Sequence, residues 1–166
     1  MAEGRISPAL PDLTDLREPD LCPTALSFRM TEDDAMSFEE LTADRACLGP
    51  ILILEDESLI ALDFETFLEG EGHAVLGPFR SPDQALEALE SRTPGVAILD
   101  ANLGGETSGE VARALEVRGV PYLYVTGGTV DFVGSSLPPG PVLQKPVNLS
   151  EMLSALHGLA QERRGR

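Results

Sequence analysis

From Gly49 onward, short apolar runs alternate with amphipathic stretches. The runs Ile51–Leu54, Ala74–Gly77, Val96–Leu99, Tyr122–Val125 and Pro141–Leu143 are apolar on both faces, the pattern of parallel strands covered by helices on either side. Between them, Ser58–Glu69, Pro82–Ser91, Ser108–Arg118 and Leu149–Arg163 carry apolar residues at helical spacing. Ala85, Leu86 and Leu89 form one face of the second stretch, with Ser81 placed as its N-cap. Leu149, Met152, Leu153, Leu156 and Leu159 do the same in the last, behind Asn148. Alternation of strand and helix predicts an α/β domain with a parallel sheet. The segment GGTVDFVGSSLPPG, residues 127–140, breaks the rhythm. Its glycines and paired prolines predict a fourth helix that is short or irregular.

Residues 1–48 show no sustained period of 2 or 3.6 and hold eleven acids against four bases. They are expected to form an acidic N-terminal extension, largely disordered, with one short helix starting near Thr31. The folded domain is expected over 49–166. Of the whole chain, 28 residues are acidic and 12 basic, a net charge of −16. That balance disfavours a nucleic-acid surface, which needs a basic footprint, and docking on anionic lipid. Apolar runs are too short to span a membrane, the N-terminus lacks the regions of a signal peptide, and Cys22 and Cys47 stand in no metal or disulfide spacing. A soluble cytoplasmic protein is expected.

Ligands of open parallel sheets bind beyond the carboxyl ends of the strands. The first predicted strand runs into Glu55, Asp56 and Glu57; the third ends at Asp100, the fourth at Thr126 and the fifth at Lys145, before Pro146. Packed like charges repel, and desolvation worsens it, so a cation is expected among these acids. Mg²⁺ suits them, because it takes a few carboxylates and keeps several waters. Taken singly, each residue has an ordinary explanation as a cap, a turn residue or a surface charge. Jointly they are harder to dismiss: Lys145 is the chain's one lysine beside eleven arginines, a compact point charge on a flexible stem. His73 and His157 are expected to have no part in this rim.

The acidic pair in LILEDE, Asp100 in VAILDANLGG, Thr126 in YVTG and Lys145 in QKPV resemble a two-component response-regulator receiver domain, of stand-alone type, over residues 50 to about 160. The resemblance implies a flavodoxin-like (βα)₅ doubly wound sheet, strand order 2-1-3-4-5, with a cis bond before Pro146. It implies that Asp100 is the phosphoacceptor and that Thr126 and Lys145 contact the phosphoryl group. Asp56 and Asp100 are implied as Mg²⁺ ligands, with Glu55 acting through a metal-bound water and Asn102 through its carbonyl. Glu57 falls outside the usual pair and is read as a first-turn acid of the following helix. The phosphodonor implied is a sensor histidine kinase or a histidine phosphotransfer protein; a homodimer is left open. Output is implied to be protein–protein contact or a role as phosphate sink or shuttle.

Two features depart from the family. Val142 occupies the position of its switch aromatic, and YVTGGT resembles a degraded form of the Phe-Ala-Thr-Gly-x-Tyr signature of an atypical subgroup, associated with HWE or HisKA_2 kinases. Two other functions compete. A small aspartate-phosphoenzyme phosphatase would carry a DxD arrangement after its first strand, which is missing. A non-phosphorylated binding module on the same fold has no use for converging acids, which only destabilise the sheet end.

Overall fold

The computed structural model describes residues 48–128 and 137–164. The expected helix near Thr31 and residues 129–136 of the irregular fourth-helix segment lie outside the described residues.

The elements are β1 (Ile51–Leu54), α1 (Ser58–Gly70), β2 (Val75–Phe79), α2 (Pro82–Ser91), β3 (Val96–Asp100), β4 (Asn102–Leu103), β5 (Glu106–Thr107), α3 (Gly109–Val117), β6 (Tyr122–Thr126), β7 (Val142–Gln144) and α4 (Leu149–Arg164). Five strands form one parallel sheet in the order β2-β1-β3-β6-β7. Counting the sheet strands alone, this is the expected 2-1-3-4-5.

Alternation along each strand divides the core in two, because successive side chains point to opposite faces. Leu52, Leu54, Ala97, Leu99, Tyr122 and Tyr124 pack with Ala85 and Leu89 of α2 and Val111, Ala112 and Leu115 of α3. Ile51, Ile53, Val96, Ile98, Leu123 and Val125 pack with Phe64 and Leu68 of α1 and Met152, Leu156 and Ala160 of α4. The predicted caps are present. Ser81 Oγ accepts from Gln84 N at the start of α2, and Asn148 Oδ1 accepts from Ser150 N and Glu151 N at the start of α4.

β1 keeps its expected bounds, and the other four strands of the sheet differ from theirs, β7 being Val142–Gln144 rather than Pro141–Leu143. β2 starts at Val75 rather than Ala74 and continues past Gly77 through Pro78 to Phe79. Gly77 takes φ +112°, and a Cβ there would lie 2.9 Å from the carbonyl oxygen of Ile53. Only glycine fits this irregularity, where the β1–β2 register shifts between Leu52 and Leu54. Pro78 is tolerated because β2 is an edge strand. At the other edge, β7 is only half-buried at Val142 and Leu143 and exposed at Gln144, since among the described strands it pairs with β6 alone.

β3 and β6 each run one residue beyond the predicted end. Asp100 pairs with Val125 and Thr126 with Gln144, so both site residues are held in the ladder itself. The bond from Lys145 N to the carbonyl oxygen of Thr126 (2.8 Å) carries that order one residue further. The Lys145–Pro146 bond is cis, as is Gly77–Pro78. NLGGET, between β3 and α3, forms the antiparallel β4–β5 hairpin, with Gly104 and Gly105 at positive φ in its turn.

Candidate functional site

At the carboxyl end of the sheet, Glu55, Asp56 and Asp100 each offer a carboxylate oxygen within 4.8 Å of the others. Glu55 (1% exposed) and Asp100 (5%) are buried and Asp56 is half-buried. The sheet forces this proximity: β1 and β3 are neighbours in register, with Leu54 opposite Leu99. Whatever follows those residues must meet at the rim.

Lys145 enters from the far edge and contacts three acids. Its Nζ lies 2.7 Å from Asp100 Oδ2, 3.0 and 2.8 Å from Glu55 Oε1 and Oε2, and 3.3 Å from Glu57 Oε1. The other oxygen of Asp100 accepts the backbone N–H of Asn102 at 2.9 Å, which orients the carboxylate. Glu55 Oε1 also accepts the backbone N–H of Glu57 at 3.2 Å. Thr126 is buried, and its Oγ1 accepts Gly128 N at 3.0 Å.

The charges adjust to one another. Burial pushes the Glu55 carboxyl up to about 7; the Lys145 hydrogen bond opposes this, and the charge of Asp100 adds to it. For Lys145, burial pulls the ammonium down, but hydrogen bonds to Asp100 and Glu55 more than reverse it and hold it above its ordinary value. The lysine is therefore held as the cation of the cluster, while burial makes Glu55 harder to ionise than an ordinary carboxylate.

A cleft of about 450 Å³ opens over these groups, lined by Glu57, Asp100, Asn102, Thr126, Gly127, Gly128 and Lys145. Its floor carries nucleophilic, cationic and hydroxyl groups. The three carboxylates form an all-oxygen donor set beside the floor, which fits a hard divalent cation. Every predicted site residue thus reaches one place: Asp100, Asn102, Thr126 and Lys145 line the cleft, and Glu55 and Asp56 stand against Asp100.

Glu57 requires a correction. It is not in the first turn of α1 but is the N-cap residue, with φ −76° and ψ 106°, and its side chain makes no capping bond. Lys145 is the nearer attraction. A sole lysine facing consecutive acids was the sequence signal for this contact. The tyrosine and histidine pairs escaped sequence reading. Tyr122 and Tyr124 stack edge-on at 5.3 Å, and Tyr122 Oη donates to Glu116 Oε1 at 3.0 Å. His73, buried beside β2, meets His157 of α4 with ring centroids 5.4 Å apart.

No family model matches the chain. Over 122 residues it is 38% identical to the phyllosphere-induced regulator PhyR of Methylorubrum extorquens, covering 69% of this chain and 45% of that one. The chain spans about half the length of the curated relatives it matches. Among solved structures, SdrG of Sphingomonas melonis is 43% identical with a TM-score of 0.60, covering 68% of this chain and 97% of that one. A response regulator receiver protein of Sinorhizobium medicae is 26% identical with a TM-score of 0.61, covering 69% and 96%. Sheet order, acidic rim and these similarities agree, and the chain belongs to the response-regulator receiver domains of two-component signalling.

Proposed function

We propose that Asp100 accepts a phosphoryl group from a phosphohistidine, on a sensor histidine kinase or a histidine phosphotransfer protein, with Mg²⁺ at the acidic rim. The family is one of signalling proteins rather than enzymes. The observation that carries the reading is the 2.7 Å contact between Lys145 and Asp100 in a cleft shared with Thr126.

In the transfer, a carboxylate oxygen of Asp100 attacks phosphorus, the P–N bond of the donor breaks, and its electron pair returns to the imidazole. Glu55, Asp56 and Asp100, with the carbonyl of Asn102, are the groups that would hold Mg²⁺. When bound, Mg²⁺ offsets negative charge on the phosphoryl oxygens. The Asn102 N–H keeps the Asp100 carboxylate oriented before and after transfer. Lys145 releases carboxylate contacts for a charge-assisted bond to a phosphoryl oxygen, and the Thr126 hydroxyl turns from Gly128 to donate to another. Movement of these two residues stands in for the switch aromatic that Val142 replaces, and the output is a changed protein-binding surface or removal of phosphate from a relay. The YVTGGT motif supports an HWE or HisKA_2 kinase as the donor.

The test is incubation with acetyl phosphate and Mg²⁺ followed by intact mass. Wild type should gain the mass of one phosphoryl group and Asp100→Asn none. Phosphate on another residue, or on none, overturns the assignment.

A further inference from the structure

Glu57 stands where neither the metal-binding acids nor the helix employs it. Its carboxylate is at the mouth of the cleft, 65% exposed, yet only 3.3 Å from Lys145 Nζ. It occupies the N-cap of α1 without making a cap bond, although free N–H groups at a helix start are what a side chain there ordinarily satisfies. Glu55 and Asp100 already engage the ammonium from below, at 2.7 to 3.0 Å. Glu57 adds a third acid from the solvent side.

We propose that Glu57 is a specificity-determining residue that screens phosphodonors by charge at the cleft mouth and tethers Lys145 against release to an incoming phosphoryl group. The inference rests on the phosphoacceptor reading of Asp100. Two consequences follow from its position. A free dianionic donor must pass an exposed carboxylate to reach Asp100, and repulsion at such range is considerable in low salt and screened in high salt. A phosphohistidine presented by a protein can offset that repulsion with its own surface contacts, so the screen weighs on small donors. Second, any phosphoryl group or mimic competes with Glu57 for Lys145. Removing this acid therefore favours occupancy even where no transfer occurs.

The experiment compares wild type, Glu57→Gln, Glu57→Lys and Glu57→Asp, using acetyl phosphate as a dianionic donor and phosphoramidate as a monoanionic one. Rates come from intact mass, and beryllofluoride binding from amide NMR shifts. Because Glu57 is exposed and makes no cap bond, these variants should fold. Glu57→Gln should speed acetyl phosphate about 3- to 10-fold at low ionic strength, Glu57→Lys further, and phosphoramidate less than about 2-fold. Near 1 M salt, where screening acts over about 3 Å, the advantage should vanish. Glu57→Asp should keep the wild-type donor ratio. Beryllofluoride should bind Glu57→Gln at least about 2-fold more tightly, since a competitor for the ammonium is gone. If wild type is phosphorylated on Asp100 but donor ratio, salt dependence and beryllofluoride affinity are the same in all four proteins, this inference is overturned and the phosphoacceptor reading stands. If wild type takes phosphate from neither donor, that reading falls and takes this one with it.

Discussion

Replacing Lys145 by methionine keeps the length and apolar stem of the side chain and deletes the one cation that, among the described residues, contacts Glu55, Glu57 and Asp100. Each contact is worth about 5 kcal/mol of gross attraction at an effective dielectric of 20, most of which desolvation of the partners offsets. What matters is the state left behind. Glu55 and Asp100, with side chains 1% and 6% exposed, become buried acids without a counter-ion, a change that costs about 3–5 kcal/mol when neither can escape. Glu55 can escape by taking a proton. Its folded-state pKa, already about 7 against an ordinary 4.5, rises further once the lysine's opposing influence is gone. A group bound to more protons folded than unfolded loses stability as pH rises from its unfolded to its folded pKa. Every tenfold gain in the folded state's proton affinity deepens that loss by about 1.4 kcal/mol.

In metal-free buffer, Lys145→Met should therefore be less stable than wild type by about 3 kcal/mol at pH 8 and about 1–2 kcal/mol at pH 5.5. With no tryptophan in the chain, urea unfolding followed by far-UV circular dichroism is the suitable assay. Millimolar Mg²⁺ should stabilise the variant more than wild type, because it restores positive charge to the same oxygens. A variant as stable as wild type at pH 8 would refute the reasoning. So would a deficit that is equal at both pH values and indifferent to Mg²⁺.

Three further outcomes are expected. Mg²⁺ affinity, measured by calorimetry, should tighten about tenfold from pH 6 to pH 8 as Glu55, with its pKa near 7, gives up its proton; a flat profile would exclude Glu55 from the metal shell. Asp56→Asn should lose most of the roughly 2.7 kcal/mol that Mg²⁺ at a hundred times its Kd confers on wild type, read as a melting-temperature shift, since Asp56 touches the rim but has no contact with Lys145 among the described residues. Gly95→Ala should cost about 2–4 kcal/mol in urea unfolding, because the added methyl would collide with the backbone carbonyl of the buried Leu48.

Much of the site was legible because a parallel sheet converts sequence order into spatial order. Strand ends gather at one rim, so Glu55, Asp56, Asp100, Thr126 and Lys145 could be assigned to one place from apolar runs alone. The same logic gave the helix faces of α2 and α4 and their caps at Ser81 and Asn148. It failed where neighbours decide. Gly77 and Pro78 signal a strand's end locally, but pairing with β1 carries β2 through them. Val142 and Leu143 are as apolar as residues of inner strands, yet an edge position leaves them half-exposed.

Composition, periodicity and the residues at strand ends determined an α/β domain and the chemical character of its rim. That information is local or depends only on the order of elements along the chain. The tertiary structure alone decided how the charges are shared. Lys145 is 45 residues from Asp100 and 90 from Glu55, and no pattern between them states that the ammonium lies nearer to Glu55 and Asp100 than to Glu57. Nor does sequence say that Glu57, beside the helix start, turns its carboxylate to the lysine rather than to the helix. Such choices are small differences between competing electrostatic contacts, set by distances of a few tenths of an ångström and by burial, and both exist only once the sheet has closed around them.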